Sequence, residues 1–126
     1  MRYYLIAGEA SGDLHGANLI AALKQKDDSA VLRGWGGNKM KEQGAKIVKH
    51  YKHLAFMGFW EVLKNLRPIL ANVYFCKKDI LNFKPDALVL IDYPGFNMII
   101  AKWATKLGIP VPVSYTHLRA HETEAY

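Results

Sequence analysis

An α/β fold built on a doubly wound parallel sheet is predicted by three features of this sequence. Short apolar runs alternate with segments of helical periodicity. The run Ala87-Leu88-Val89-Leu90-Ile91 is apolar throughout, as expected of a parallel strand covered on both faces. The connections between these segments are short and carry glycine or proline, which suits repeated strand–helix units.

Element by element, Tyr3 to Ala7 reads as a first strand, and Gly8-Glu9-Ala10-Ser11-Gly12-Asp13 as a tight loop. Leu14, Ala17, Leu19, Ile20 and Leu23 then recur at helical spacing. Val31 to Arg33 reads as a second strand leading into Gly34-Trp35-Gly36-Gly37, and Met40 to Gln43 as a short helix that Gly44 stops. Between Leu54 and Phe83, Trp60, Leu63, Leu66, Leu70, Val73 and Tyr74 keep helical spacing, with Pro68 dividing the stretch into two helices joined near Arg67. Pro85 closes that region before the apolar strand at Ala87. Asp92-Tyr93-Pro94-Gly95-Phe96-Asn97 reads as a connection, Met98 to Leu107 as a helix stopped by Gly108, and Ile109 to Val113 as a last strand.

With 126 residues, 51% of them hydrophobic, the chain supports one core, so one domain is expected over residues 1–113. Residues 114–126 lose the apolar periodicity and are expected to be a non-native tail. The 17 Lys and Arg against 11 Asp and Glu give a formal charge of +6, which favours a phosphate-bearing ligand, an anionic lipid surface or nucleic acid without choosing among them. Cys76 is the single cysteine, so no internal disulfide forms, in keeping with a reducing cytoplasm. The first apolar run is broken by Gly8 and Glu9 and lacks the form of a secretion signal. Every apolar run falls well short of the roughly 20 residues that cross a bilayer, so membrane contact is expected to be peripheral.

Three constellations carry chemistry. The loop Gly8–Asp13 follows a strand and precedes a helix, where open parallel sheets bind ligands. Its glycines allow close backbone approach, while Ser11 or Asp13 can cap the following helix, and capping alone would also explain those two residues. The loop lacks the Gly-x-Gly-x-x-Gly pattern and carries acids where a pyrophosphate would lie, which disfavours a dinucleotide. Asp92 directly follows the apolar strand. A carboxylate there suits general-base work on a hydroxyl, and equally suits a turn with Pro94 and Gly95. Finally, Phe56 to Leu70 holds more apolar residues than one buried helix face accommodates, interleaved with Lys64 and Arg67. That pattern fits an interfacial helix on an anionic lipid surface, or a well-packed core helix. His117 and His121 are four residues apart but lack the glutamate of the zinc-protease motif, so no metal site is expected.

Leu5-Ile6-Ala7-Gly8-Glu9-Ala10-Ser11-Gly12-Asp13 together with Ile91-Asp92-Tyr93-Pro94-Gly95-Phe96-Asn97 resembles the lipid-A-disaccharide synthase family. Gly34-Trp35-Gly36-Gly37, Met40, and the run from Leu54 to Leu63 fall where that family has similar residues. The resemblance implies a B-type glycosyltransferase of two Rossmann-like halves, of which this chain is the N-terminal, acceptor-side half. It implies transfer from UDP-2,3-diacylglucosamine to 2,3-diacylglucosamine 1-phosphate with inversion and release of UDP, without a metal or other cofactor. It also implies peripheral contact with the cytoplasmic side of the inner membrane, and no nucleic-acid partner. Asp92 resembles the family's catalytic base. Gly8, Glu9, Ser11, Gly12 and Asn97 resemble substrate-binding positions, and Met57, Trp60, Val62, Leu63, Leu66 and Leu70 the surface facing membrane and acyl chains. The family continues past the fifth strand into a nucleotide-binding domain, so this stretch alone is expected to be inactive. The residues by themselves also admit a non-catalytic α/β binding module or a membrane-surface adaptor.

Overall fold

Continuous burial along the first strand, with successive side chains entering opposite cores, sets the architecture. In the computed structural model, which describes residues 1–54, 67–91 and 93–115, β1 (Arg2–Ala7) places Tyr4 and Ile6 in one core and Leu5 and Ala7 in another. It therefore lies inside the sheet, with helices on both faces. β1 pairs in parallel with β2 (Val31–Gly36) on one side and with β4 (Ala87–Ile91) on the other. β3 (Lys46–His50) extends the sheet beyond β2, and β5 (Val113–Tyr115) extends it beyond β4, giving the order β3-β2-β1-β4-β5. The doubly wound parallel sheet is thus observed.

α1 (Ala10–Lys26) and α2 (Asn38–Glu42) cover the face that holds Leu5, Ala17, Ile20, Met40 and Val89. α3 (Tyr51–Leu54), α4 (Arg67–Phe83) and α5 (Pro94–Lys106) cover the opposite face, around Trp35, Cys76, Ile80, Leu90 and Phe96. Each large side chain so buried contributes about 1.5–3 kcal/mol. Trp35 is fully buried and packs on Phe96 at 5.0 Å and Phe75 at 6.3 Å between ring centroids. The glycines flanking it answer steric demands. A Cβ at Gly34 would run into the Leu5 carbonyl of the neighbouring strand, and one at Gly36 or Gly16 would strike the Met40 thioether.

Several boundaries differ from the sequence reading. α1 begins at Ala10, so Ser11, Gly12 and Asp13 belong to its first turns and not to a loop. α5 begins at Pro94, four residues before the expected start at Met98, because proline at the first helical position has the φ that helix entry requires. Leu14, expected on the buried face of α1, is exposed. β3 has no counterpart among the expected strands. Ile47 packs into one core and Val48 into the other, as alternation demands, but lysines bracket them on an edge strand whose pairing with β2 carries an irregularity. The last strand occupies Val113–Tyr115 and not Ile109–Val113; Ile109 and Val111 pack against the core before the strand begins. Gly44 and Gly108 end their helices with φ of 105° and 79°, as expected.

One ion pair ties α4 to the sheet. Arg33 donates from Nε and Nη2 to the Asp79 carboxylate at 2.9 and 2.7 Å, and the Tyr4 hydroxyl donates to the same carboxylate at 2.7 Å. Burial works against the charge on Asp79, yet the hydrogen bonds from Arg33 and Tyr4 outweigh it and hold the carboxyl below its ordinary range. Burial, then the proximity of Asp79, pushes the Cys76 thiol up, so the lone cysteine is a packed apolar group and not a nucleophile.

Candidate functional site

The direction of the chain reverses between β1 and β4. After β1 it crosses outward to β2 and β3; after β4 it crosses the other way to β5. The connections that leave the carboxyl ends of β1 and β4 therefore diverge onto opposite faces and leave a crevice between them, where open α/β sheets bind ligands. Ala7 and Ile91 are in register as the last residues of their strands. Gly8 and Tyr93 consequently meet: a Cβ at Gly8 would collide with the Tyr93 ring. Only glycine lets that ring lie against the backbone after β1.

Tyr93 in turn stacks on Phe96, at 4.8 Å and 13° between planes, and Phe96 packs on Trp35. Burial, with the nearby Cys76, raises the Tyr93 phenol above its ordinary value, so it stands at the rim as a neutral hydroxyl.

The expected site residues fall as follows. Glu9 is the exposed N-cap of α1, and the Ser11 hydroxyl donates to its Oε1 at 3.4 Å. Gly12 is buried in the first turn of α1. Asn97 is 4% exposed in the opening turns of α5; its backbone N–H donates to the Tyr93 carbonyl at 2.8 Å. Among the described residues, neither Oδ1 nor Nδ2 of its side chain has a hydrogen-bond partner. An unsatisfied buried amide costs about 1–3 kcal/mol, a cost that a bound polar group would remove. Asp92, Met57, Trp60, Val62, Leu63 and Leu66 lie outside the described residues. Leu70 is 63% exposed, and Tyr74 and Leu81 on the same helix are also exposed. α4 thus turns an apolar strip outward.

Asp13 has a different task from the capping of its own helix. It is 3% exposed, and its Oδ1 accepts from the backbone N–H of Gly37 at 2.8 Å and of Met40 at 3.0 Å, while Oδ2 accepts from that of Lys39 at 3.1 Å. The carboxylate closes the amino end of α2 across the space between helices, and α1 begins with no side-chain cap. Position in the sequence could not have shown this, because the partners of Asp13 lie 24 to 27 residues away.

A sequence model of the lipid-A-disaccharide synthetase family matches residues 3–116. The chain belongs to the lipid-A-disaccharide synthetase family. Curated relatives carrying the name lipid-A-disaccharide synthase include one from Syntrophus aciditrophicus, 42% identical over 107 residues, which make up 85% of this chain and 28% of that protein. Another from Trichlorobacter lovleyi is 42% identical over 110 residues, 87% of this chain and 29% of the relative. A third, from Coxiella burnetii, is 43% identical over 107 residues, 85% of this chain and 28% of that protein. The chain thus spans less than a third of the length of these lipid-A-disaccharide synthases. No helix among the described residues is long and apolar enough to cross a membrane, and no group of three or more potential metal ligands occurs among them.

Proposed function

We propose that the full-length protein is an inverting glycosyltransferase that joins UDP-2,3-diacylglucosamine to 2,3-diacylglucosamine 1-phosphate, and that residues 1–113 belong to its acceptor-side domain. Asp92 takes the proton of the attacking acceptor hydroxyl as its oxygen forms the bond to the anomeric carbon. The bond from that carbon to the UDP oxygen breaks from the opposite face, and UDP leaves with the electron pair. Gly8, Glu9, Ser11, Gly12 and Asn97 border the acceptor. The reaction uses no metal and no other cofactor, and the nucleotide is held by a second domain of the full-length protein.

What carries the reading is the meeting of Gly8 with Tyr93 at the switch point, together with the family match. Glu9, Ser11 and Asn97 belong to the segments that leave β1 and β4 there, and Asp92 follows Ile91 in sequence. The unsatisfied, buried Asn97 amide adds support, because a sugar hydroxyl would satisfy both of its atoms. Incubation of the full-length protein with the two acylated substrates tests the proposal. One UDP released per disaccharide phosphate formed is expected; UDP release without disaccharide, or neither product, would refute it and leave a binding module or an adaptor.

The protein works at the cytoplasmic face of the inner membrane, held there by Met57, Trp60, Val62, Leu63, Leu66 and Leu70. The exposed strip Leu70, Tyr74 and Leu81 on α4 and the net charge of +6 support this placement. In co-sedimentation with vesicles containing anionic phospholipid, Trp60→Ser with Leu63→Ser should lower the bound fraction of the full-length protein several-fold. Binding equal to that of the unaltered protein would remove the patch from the membrane.

A further inference from the structure

A second concavity lies on the same edge of the sheet. A cavity of about 490 Å³ opens at the carboxyl ends of β2 and β3, lined by Asn38, Lys41, Lys49, His50, His53 and Phe75 among others. Every ionisable side chain in that lining is a lysine or a histidine; no carboxylate takes part. Among the described residues, neither Lys41 nor Lys49 is in an ion pair. The Lys49 ammonium instead lies 5.0 Å from the centre of the Phe75 ring, which fixes the position of the charge without neutralising it. His50 accepts the Lys52 backbone N–H at Nδ1, 3.2 Å away, which orients the imidazole and leaves Nε2 as the remaining nitrogen able to donate.

Cations gathered in a concave, partly apolar wall focus an attractive field on a compact anion, and lysine ammonium groups are point-charge binders of phosphate. The opening is far too small for a nucleic-acid duplex and has the dimensions of a small-molecule site. Because all five strands run in parallel, this cavity shares its rim with the crevice at β1 and β4. Two strand spacings, roughly 10 Å, separate them.

We propose that this cavity binds a phosphate monoester, and that its ligand is the phosphate of the acceptor sugar whose hydroxyl reaches the β1–β4 crevice. The identity of the ligand rests on the glycosyltransferase reading; the anion site does not. Lys41 and Lys49 supply the charge, and His50 and His53 donate hydrogen bonds. A sugar anchored by its phosphate at one end presents its hydroxyl at the other, so the pair of sites fixes which hydroxyl reacts.

Two measurements on the full-length protein test this. In the transfer assay, Lys41→Ala with Lys49→Ala should raise KM for the acylated acceptor phosphate about tenfold or more, leaving KM for the UDP-sugar unchanged. Lys41→Arg with Lys49→Arg should largely restore KM. In the second measurement, ³¹P line broadening of glucosamine 1-phosphate reports binding without turnover. Broadening is expected with the unaltered protein, reversed by excess inorganic phosphate, untouched by excess glucosamine, and absent in the alanine double variant. A protein without transferase activity that still shows lysine-dependent broadening would sink the enzyme reading and keep the anion site. Acceptor KM or broadening unaffected by the alanine double variant, or glucosamine displacing the sugar phosphate as well as phosphate does, would overturn the proposal.

Discussion

Replacing Asp92 by asparagine in the full-length protein is expected to lower kcat by about 10²-fold or more while leaving the unfolding midpoint close to that of the unaltered protein. Asparagine has nearly the volume of aspartate and retains one acceptor oxygen, but it cannot take a proton from the attacking hydroxyl. Loss of a general base removes an interaction made only in the transition state, so kcat and kcat/KM should fall together and the acceptor KM should hold. The measurement is steady-state transfer at saturating concentrations of both acylated substrates, with circular dichroism as the check on folding. Turnover within a few-fold of the unaltered enzyme would assign the proton to another group and leave Asp92 a turn residue.

The second large effect is on stability. Asp13→Ala should destabilise the protein by roughly 3 kcal/mol, because three backbone N–H groups at the start of α2 lose their acceptor, those of Gly37 and Met40 in a buried site and that of Lys39 in a half-buried one. Asp13→Asn should recover part of that loss, since one oxygen remains while its NH2 faces donors. Urea unfolding followed by tryptophan fluorescence checks both, Trp35 being fully buried in the folded protein. A shift below about 1 kcal/mol for the alanine variant would mean that α2 finds another cap. The substitution carries a second signature. Asn38 and Lys41 sit on α2 and line the basic cavity, so loosening that helix should also weaken the broadening of glucosamine 1-phosphate.

Much of the architecture was legible because it follows from periodicity. The unbroken apolar run at Ala87–Ile91 announced an interior parallel strand, and it is buried at every residue. Gly44 and Gly108 announced helix ends through a conformation that few other residues adopt. Local rules failed where a distant partner decides. Asp13 looked like a cap for its own helix, since acids near a helix start usually serve there, but tertiary packing brought Gly37, Lys39 and Met40 within reach of it. Lys46 to His50 hid as a strand because both faces of an edge strand are only half covered, and lysine on its rim is a device against edge pairing. The basic cavity was illegible for the same reason: Lys41, Lys49, His50 and His53 come from three elements, and only the sheet order brings them together. Within the crevice, sequence position named the loop that holds Gly8, Glu9 and Ser11, and the family resemblance named Asn97, but the partner of Gly8, Tyr93, emerges only from the strand register.

The aromatic series from Trp35 through Phe96 to Tyr93 ends against the glycine that follows the first strand. A loop whose neighbour is wedged in this manner has little room to drift, so thermal wandering of the crevice between β1 and β4 is curbed by buried packing and not by surface contacts. Trimming Phe96 to a small residue would therefore propagate outward as looser placement of Tyr93 and of the backbone at Gly8, in addition to its direct cost in stability.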